Sequence, residues 1–411
     1  MRTHVMGWLL VTASTALAAG SSYRPPLGAW TRLNGGRPIL VPRGSGFESA
    51  GVFNPAVIKD GGRYVMLYRA QDAKKVSRLG RATSDDGIHF VRDAEPALSP
   101  EAEYEKGGGV EDPRLLLLGS TFYLTYTAYD GKDAQLALAT SSDLRRWDRL
   151  GVIMPANRGR WNVHWTKSGA ILDEKVGGRY WMYYMADAAG AYDQTGVAWS
   201  EDLRHWTEAL DAPVLPRRPG RFDSRVVEPG PPPVMTPDGI LLVYNGADDG
   251  LVYRTGWALF DRADPTRLLA RSEAPIFAPE RRWEREGQVP SVVFVEGLVR
   301  EGRRWLFYYG GADTYVGVAE AFTRWTSAPF DSRSGTGRNV TGAPPTARSA
   351  AARRYGMSSS LPVVLRPSSR RCASAASRSG SSRSMRTRKV LFATASKISR
   401  DRQSSSSRVS V

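Results

Sequence analysis

The densest run of chemically capable side chains is Gly107-Gly108-Gly109-Val110-Glu111-Asp112-Pro113-Arg114. Glycines let the backbone turn sharply, and two acids stand just ahead of a Pro and an Arg. A carboxylate in such a loop becomes a general acid if burial or a neighbouring carboxylate raises its pKa. The same spacing suits an ion pair of Asp112 or Glu111 with Arg114 that only holds the loop, and spacing alone leaves the two readings even. Asn54, Arg69, His164, Lys167, Glu228, Asn245 and Asp313 also stand in or beside loops that border apolar segments. Amides, acids and cations of this kind grip hydroxyls and move protons. A single Cys excludes an intrachain disulfide, and the four His are too scattered for metal-ligand spacing. No metal or organic cofactor is implied.

The elements that position these residues recur. Five segments, Tyr64–Asp72, Phe122–Asp130, Tyr180–Asp187, Ile240–Asp248 and Trp305–Asp313, are rich in aromatic and β-branched residues and stop at small and acidic ones. That pattern describes a buried strand running into a loop. A second strand follows each, and its alanine (Ala82, Ala139, Ala198, Ala258, Ala319) recurs at intervals of 57, 59, 60 and 61 residues. Three of these strands lead into an Asp-containing turn with an aromatic three or four residues on: Asp86 with Phe90, Asp143 with Trp147, and Asp202 with Trp206. One such unit cannot bury both faces of its sheet, whereas several packed around an axis can. The period predicts an all-β, five-bladed β-propeller with four-stranded blades. Its functional groups gather on the loops at one end of the axis. An open sandwich would not explain the constant period.

Outside the repeat the chain changes character. Residues 331–411 carry 17 Lys+Arg against two Asp+Glu, which leaves 40 basic and 39 acidic residues in 1–330. The net charge of +16 therefore belongs to the tail, and the repeat region has no electrostatic footprint for nucleic acid. The tail is Ser/Arg/Ala-rich and reads as a disordered extension or an out-of-frame stretch. At the other end, Arg2 and His4 precede an apolar run to Ala19 with Ala16-Leu17-Ala18 as a small-x-small cleavage pattern. This reads as a secretory signal over 1–19, followed by an N-terminal extension over 20–46 and the propeller over 47–330. It predicts a secreted or periplasmic protein without a membrane anchor after cleavage, or a cytoplasmic one if the segment is not a signal.

The ordered set Phe53-Asn54-Pro55, Tyr68-Arg69-Ala70, Gly109-Val110-Glu111-Asp112-Pro113-Arg114, Tyr126-Thr127-Ala128-Tyr129, Gly230-Pro231-Pro232-Pro233, Tyr244-Asn245-Gly246-Ala247 and Tyr309-Gly310-Gly311-Ala312-Asp313 resembles glycoside hydrolase family 130. That family comprises β-mannoside phosphorylases and related β-mannosidases. The resemblance implies an oligosaccharide substrate, with Asp112 as the general acid whose proton reaches the glycosidic oxygen through the 3-hydroxyl of the mannosyl unit. It also implies that Asn54, Arg69 and Asp313 line the mannosyl subsite and that Lys167 faces phosphate. Two departures favour hydrolysis. Tyr184-Met185 and Asn245 stand where the phosphorylases tend to carry a His-Arg pair and a His. Glu228 stands where they tend to have Gly, and a carboxylate there would repel phosphate.

The expectation from sequence is thus an inverting β-mannoside hydrolase with Asp112 as acid and Glu228 as base, Glu286 being second choice. The first alternative is a phosphorylase that uses inorganic phosphate as co-substrate and releases mannose 1-phosphate. Further alternatives are a five-bladed furanosidase acting on arabinan or xylan and a non-catalytic sugar-binding propeller. Oligomeric state is not legible.

Overall fold

The computed structural model describes residues 26–158, 161–188 and 192–324. The proposed signal and the basic tail lie outside them. Within them the regular structure is almost entirely strand, interrupted by short helical turns at Asn34–Gly36, Glu103–Glu105 and Arg282–Arg285. No described helix is long and apolar enough to cross a membrane.

The fold is a β-propeller, as the repeat predicts. The antiparallel pairings fall into five units, with single parallel bridges from Ser77 to Gly109 and from Asp193 to Val226 joining the first to the second and the third to the fourth. The first contains Gly51–Asp60, Arg63–Gln71, Ser77–Ser84 and Val91–Arg92, and the second Gly109–Leu118, Thr121–Tyr129, Ala134–Ser141 and Asp148–Met154. The third contains Asn162–Ile171, Tyr180–Ala188, Tyr192–Ser200 and Thr207–Glu208. In the fourth, Val226–Pro229 and Val234–Thr236 share the innermost place beside Gly239–Ala247, followed by Tyr253–Phe260 and Leu268–Arg271. The fifth contains Val293–Glu301, Arg304–Gly311 and Tyr315–Phe322, and its outer strand is Thr31–Arg32 from the other end of the chain. The stretch read as an N-terminal extension therefore supplies a strand of the last unit.

The core consists of five apolar clusters, one between each pair of neighbouring units. Leu67 and Leu79 meet Leu124 and Ala137. Leu136 and Leu138 meet Met182 and Ala198. Val197 meets Leu242 and Phe260, Val243 and Trp257 meet Trp305 and Phe307, and Leu306 and Val318 return to Met66 and Ala82. Five interfaces for five units make a closed ring. Closure leaves no unit with an uncovered face, so the hydrophobic drive is distributed around the circle.

The turns form as the sequence predicts, with one refinement. Ser84, Ser141 and Ser200, each two residues before the Asp, accept the backbone N–H groups of the turn, while Asp86, Asp143 and Asp202 accept those that follow. Trp147 and Trp206 pack as buried aromatics on the sheet flank.

A second repeat was not legible. In every unit a buried Tyr of the second strand donates to a buried carboxylate: Tyr68 to Glu48, Tyr126 to Glu105, Tyr184 to Glu208, Tyr244 to Asp223 and Tyr309 to Glu284. Each carboxylate also meets an arginine: Arg92, Arg149, Arg158, Arg271 and Arg32 in turn. In four units the ring lies over a glycine of the third strand. A Cβ at Gly80 would stand 2.3 Å from the Tyr68 ring, so only glycine admits that approach.

Candidate active site

The inner strands bring together five residues from corresponding places in the units: Asn54, Asp112, Ser168, Glu228 and Glu296. Each precedes a Pro or a Gly. In four units the pairing register breaks here, between Phe53 and Pro55, Glu111 and Arg114, Lys167 and Ala170, and Val295 and Gly297. A bulge releases the backbone from the ladder and re-aims its side chain. Asn54, Asp112 and Ser168 hold φ of 47°, 49° and 56°, as does Asp313 at 49°. Left-handed backbone at non-glycine residues costs of order 1–3 kcal/mol each and clusters at working sites.

Asp112 is buried. It accepts from Asn54 Nδ2 at 2.8 Å and from Arg69 Nη1 at 3.1 Å. Burial alone would raise its carboxyl, but Arg69, the Asn54 amide, Lys167 and Arg114 outweigh burial and hold it below the usual range. The same Arg69 also donates to Glu111, to Ser77 Oγ at 3.0 Å, and lies 4.9 Å over the Phe53 ring. Burial pushes Glu111 up, and Arg69 offsets this only in part. The ion pair weighed from sequence thus exists, but with Arg69 rather than Arg114. Arg114 turns inward to backbone carbonyls instead. Carboxyls are raised at Glu111, Glu228, Asp313 and Glu296, so the condition set for Asp112, that burial or a neighbouring carboxylate raise it, is not met in the unliganded site.

Glu228 is buried, and Ser168 Oγ donates to it. Burial pushes its carboxyl up to about 7, with Ser168 and Arg114 pulling against it. It pairs with neither Arg225 nor Arg221; Arg221 reaches Glu273 at 3.1 Å. Asp313 is also pushed up to about 7, by desolvation in the site and by Asp112 and Glu111, against Arg69.

Lys167 is half-buried. Its Nζ lies 4.8 Å from the Trp165 ring centroid and makes no ion pair within 4 Å among the described residues. Its charge is felt by Glu111, Asp112, Asp187, Asp193 and Glu228. A second half-buried cation without such a pair among the described residues is Arg225, whose charge reaches Asp193 and Tyr253. His164 is one-third exposed at the rim, 3.2 Å from Asp187 and packed on Trp165.

Two candidates fall outside the site. Asn245 is fully buried, and its amide is spent on the Val295 backbone, donating to the carbonyl and accepting from the N–H, each at 2.9 Å. It holds the fifth inner strand and presents nothing to a ligand. Glu286 is on the surface, paired with Arg282 four residues back. Sequence reasoning missed Ser168, Glu296, Arg225 and Tyr253. The Pro or Gly after each inner-strand residue was a usable signal for the first two; nothing local marked the others. No group of three or more His, Cys, Asp or Glu among the described residues is arranged to hold a metal.

Acids, an amide and a cation without an ion pair among the described residues thus gather where the inner strands of the β-propeller meet, an arrangement suited to gripping hydroxyls and moving protons. The profile of glycoside hydrolase family 130, described as beta-1,4-mannooligosaccharide phosphorylase, matches residues 39–325. The chain belongs to that family, whose members act on mannosides. A 1,2-beta-oligomannan phosphorylase of Thermoanaerobacter sp. (strain X514) is 38% identical over 294 residues, covering 69% of this chain and 94% of the relative. A beta-1,2-mannobiose phosphorylase of the same organism is 34% identical over 306 residues, covering 70% and 96%. A solved structure, described by the statement that this family of mannoside phosphorylases contains glycoside hydrolases that target beta-1,2 mannosidic linkages in Candida mannan, superposes with a TM-score of 0.67 at 33% identity. It covers 74% of this chain and 97% of that one.

The relatives named as phosphorylases overturn the expectation of a hydrolase. Burial also pushes the Glu228 carboxyl, which the sequence suggests would repel phosphate, up to about 7, and so weakens that repulsion.

Proposed function

We propose that this protein is an inverting β-1,2-mannoside phosphorylase. The observation that carries the reading is a pair of cations, Lys167 and Arg225, that make no ion pair among the described residues and are both felt by Asp193, in a chain 38% identical to an oligomannan phosphorylase. Fixed cations in a site shielded from water bind an anion far better than cations in solution.

In the proposed reaction an oxygen of inorganic phosphate, held by Lys167 and Arg225, attacks the anomeric carbon. The bond from that carbon to the glycosidic oxygen breaks, and its electron pair stays on the leaving oxygen. The proton comes from Asp112, relayed by the 3-hydroxyl of the mannosyl unit. Asn54, Arg69 and Asp313 hold that unit. Asp112 is ionised in the unliganded site, so it must gain its proton as ligands bind. An arriving phosphate neutralises Lys167, which depresses Asp112, and adds negative charge nearby; both raise the Asp112 pKa. Phosphate and proton binding are then linked, and phosphate binding takes up protons below neutral pH.

Incubation with β-1,2-mannobiose, with and without inorganic phosphate, tests the reading. Mannose 1-phosphate released only when phosphate is present is expected. Free mannose released at the same rate without phosphate would overturn it.

A further inference from the structure

Two almost fully buried ionisable residues that the proposed reaction does not use, Arg114 and Glu296, lie against the site. Arg114 is a hub. It donates to the carbonyls of Pro229 at 2.8 Å, Gly230 at 3.0 Å and Asp112 at 3.2 Å, and to Glu296 Oε1 at 3.4 Å. The first two carbonyls lie just after Glu228, and the third belongs to Asp112 itself. The guanidinium therefore ties the second unit to the fourth at the backbone of both acids. Glu296 reaches it from the fifth unit, out of the bulge of Val293–Glu301. Its other oxygen, Oε2, is buried without a hydrogen-bond partner. A core placed there only for stability would gain from an apolar side chain, since a buried ion pair is weak evidence of stabilisation.

We infer that Glu296 is a positioning residue: by holding Arg114 it fixes the Asp112 bulge against the Pro229–Gly230 turn, and so sets the distance between the proton donor and the opposite wall of the site. Burial pushes its carboxyl well up. Glu296 then holds Arg114 by hydrogen bonding while leaving the positive field of Arg114 on Asp112 uncancelled. A neutral amide of the same shape can do both, whereas an apolar side chain can do neither. The inference rests on Asp112 being the proton donor.

The test compares Glu296→Gln, Glu296→Leu and Asp112→Asn in the full chain, with release of mannose 1-phosphate from β-1,2-mannobiose as readout. Glu296→Gln should keep kcat within about threefold. Glu296→Leu should lower kcat by up to about 100-fold, the scale of a 1 Å misplacement. KM for mannobiose and for phosphate should stay within about threefold, because no binding group is removed. Should the Leu variant not fold, Arg114→Lys replaces it: a charge without the planar fork should lower kcat in the same way. A folded Glu296→Leu enzyme with the parent kcat would overturn the inference, as would a Gln variant as damaged as the Leu one. An active Asp112→Asn enzyme would instead sink the proton-donor reading, and this inference with it.

Discussion

The propeller carries two rings of polar residues that differ in one respect. The outer ring consists of five tyrosines, each bound to a buried carboxylate that an arginine also meets. It repeats with little variation. The inner ring, Asn54, Asp112, Ser168, Glu228 and Glu296, occupies corresponding places but has a different side chain in nearly every unit. Charges in the outer ring are matched: at Glu105, burial would raise the carboxyl, but Arg149 and two backbone N–H groups prevail and hold it low. The inner ring leaves Asn54 Oδ1 and Glu296 Oε2 without partners and pushes Glu228 up. Symmetry is kept where the polar groups only hold the ring together, and broken where they frame the site.

The sharpest way to break this contrast is at Asp112. Asp112→Asn should lower kcat by about 10²–10⁴-fold, the range for a general acid, with little change in thermal midpoint. A large loss of stability would place Asp112 with the outer ring. Glu228→Gln should have a smaller, pH-dependent effect. Glu228 is neutral below about 7 and ionises above it, so the parent KM for phosphate should climb as pH rises through 7 while the Gln variant stays flat. Abolished turnover at all pH values would refute the neutral-wall role. The smallest effect on rate belongs to the outer ring. Tyr126→Phe leaves Glu105 one hydrogen bond short and should cost about 1–3 kcal/mol of stability, read as a lower urea midpoint, with kcat within about twofold. A drop in kcat without loss of stability would show the two rings to be coupled.

The fold was legible because its signal is additive: five similar strands at a nearly constant period survive the variation of any one. Asp112, Asn54, Arg69 and Asp313 were legible because each borders a repeated strand or its loop. What was hidden depends on geometry that no local pattern encodes. The tyrosines recur at regular positions, and in four units the acid stands 20 to 25 residues before its tyrosine, but in unit 3 it stands 24 after, and the intervening loops give no local sign of the pairing. Protonation was hidden too. Asp112 and Glu228 are both buried acids, and only the guanidinium aimed at one and the serine at the other separate a low carboxyl from a raised one. Asn245 was misjudged because its place in the repeat matched a site position while its amide was already committed to a neighbouring strand.

Thr31–Arg32 completes the fifth unit from the opposite end of the chain, and Arg32 supplies both ion-pairing bonds to Glu284, at 2.7 and 2.9 Å. During synthesis the first strand made must therefore wait for almost the last, Tyr315–Phe322, before it has a partner. Pairing at such sequence separation is slow and leaves a growing chain with an unfinished edge. A circular permutant opened in the exposed turn at Gly61-Gly62 would move that closing contact to the pairing of Gly51–Asp60 with Arg63–Gln71 in the first unit.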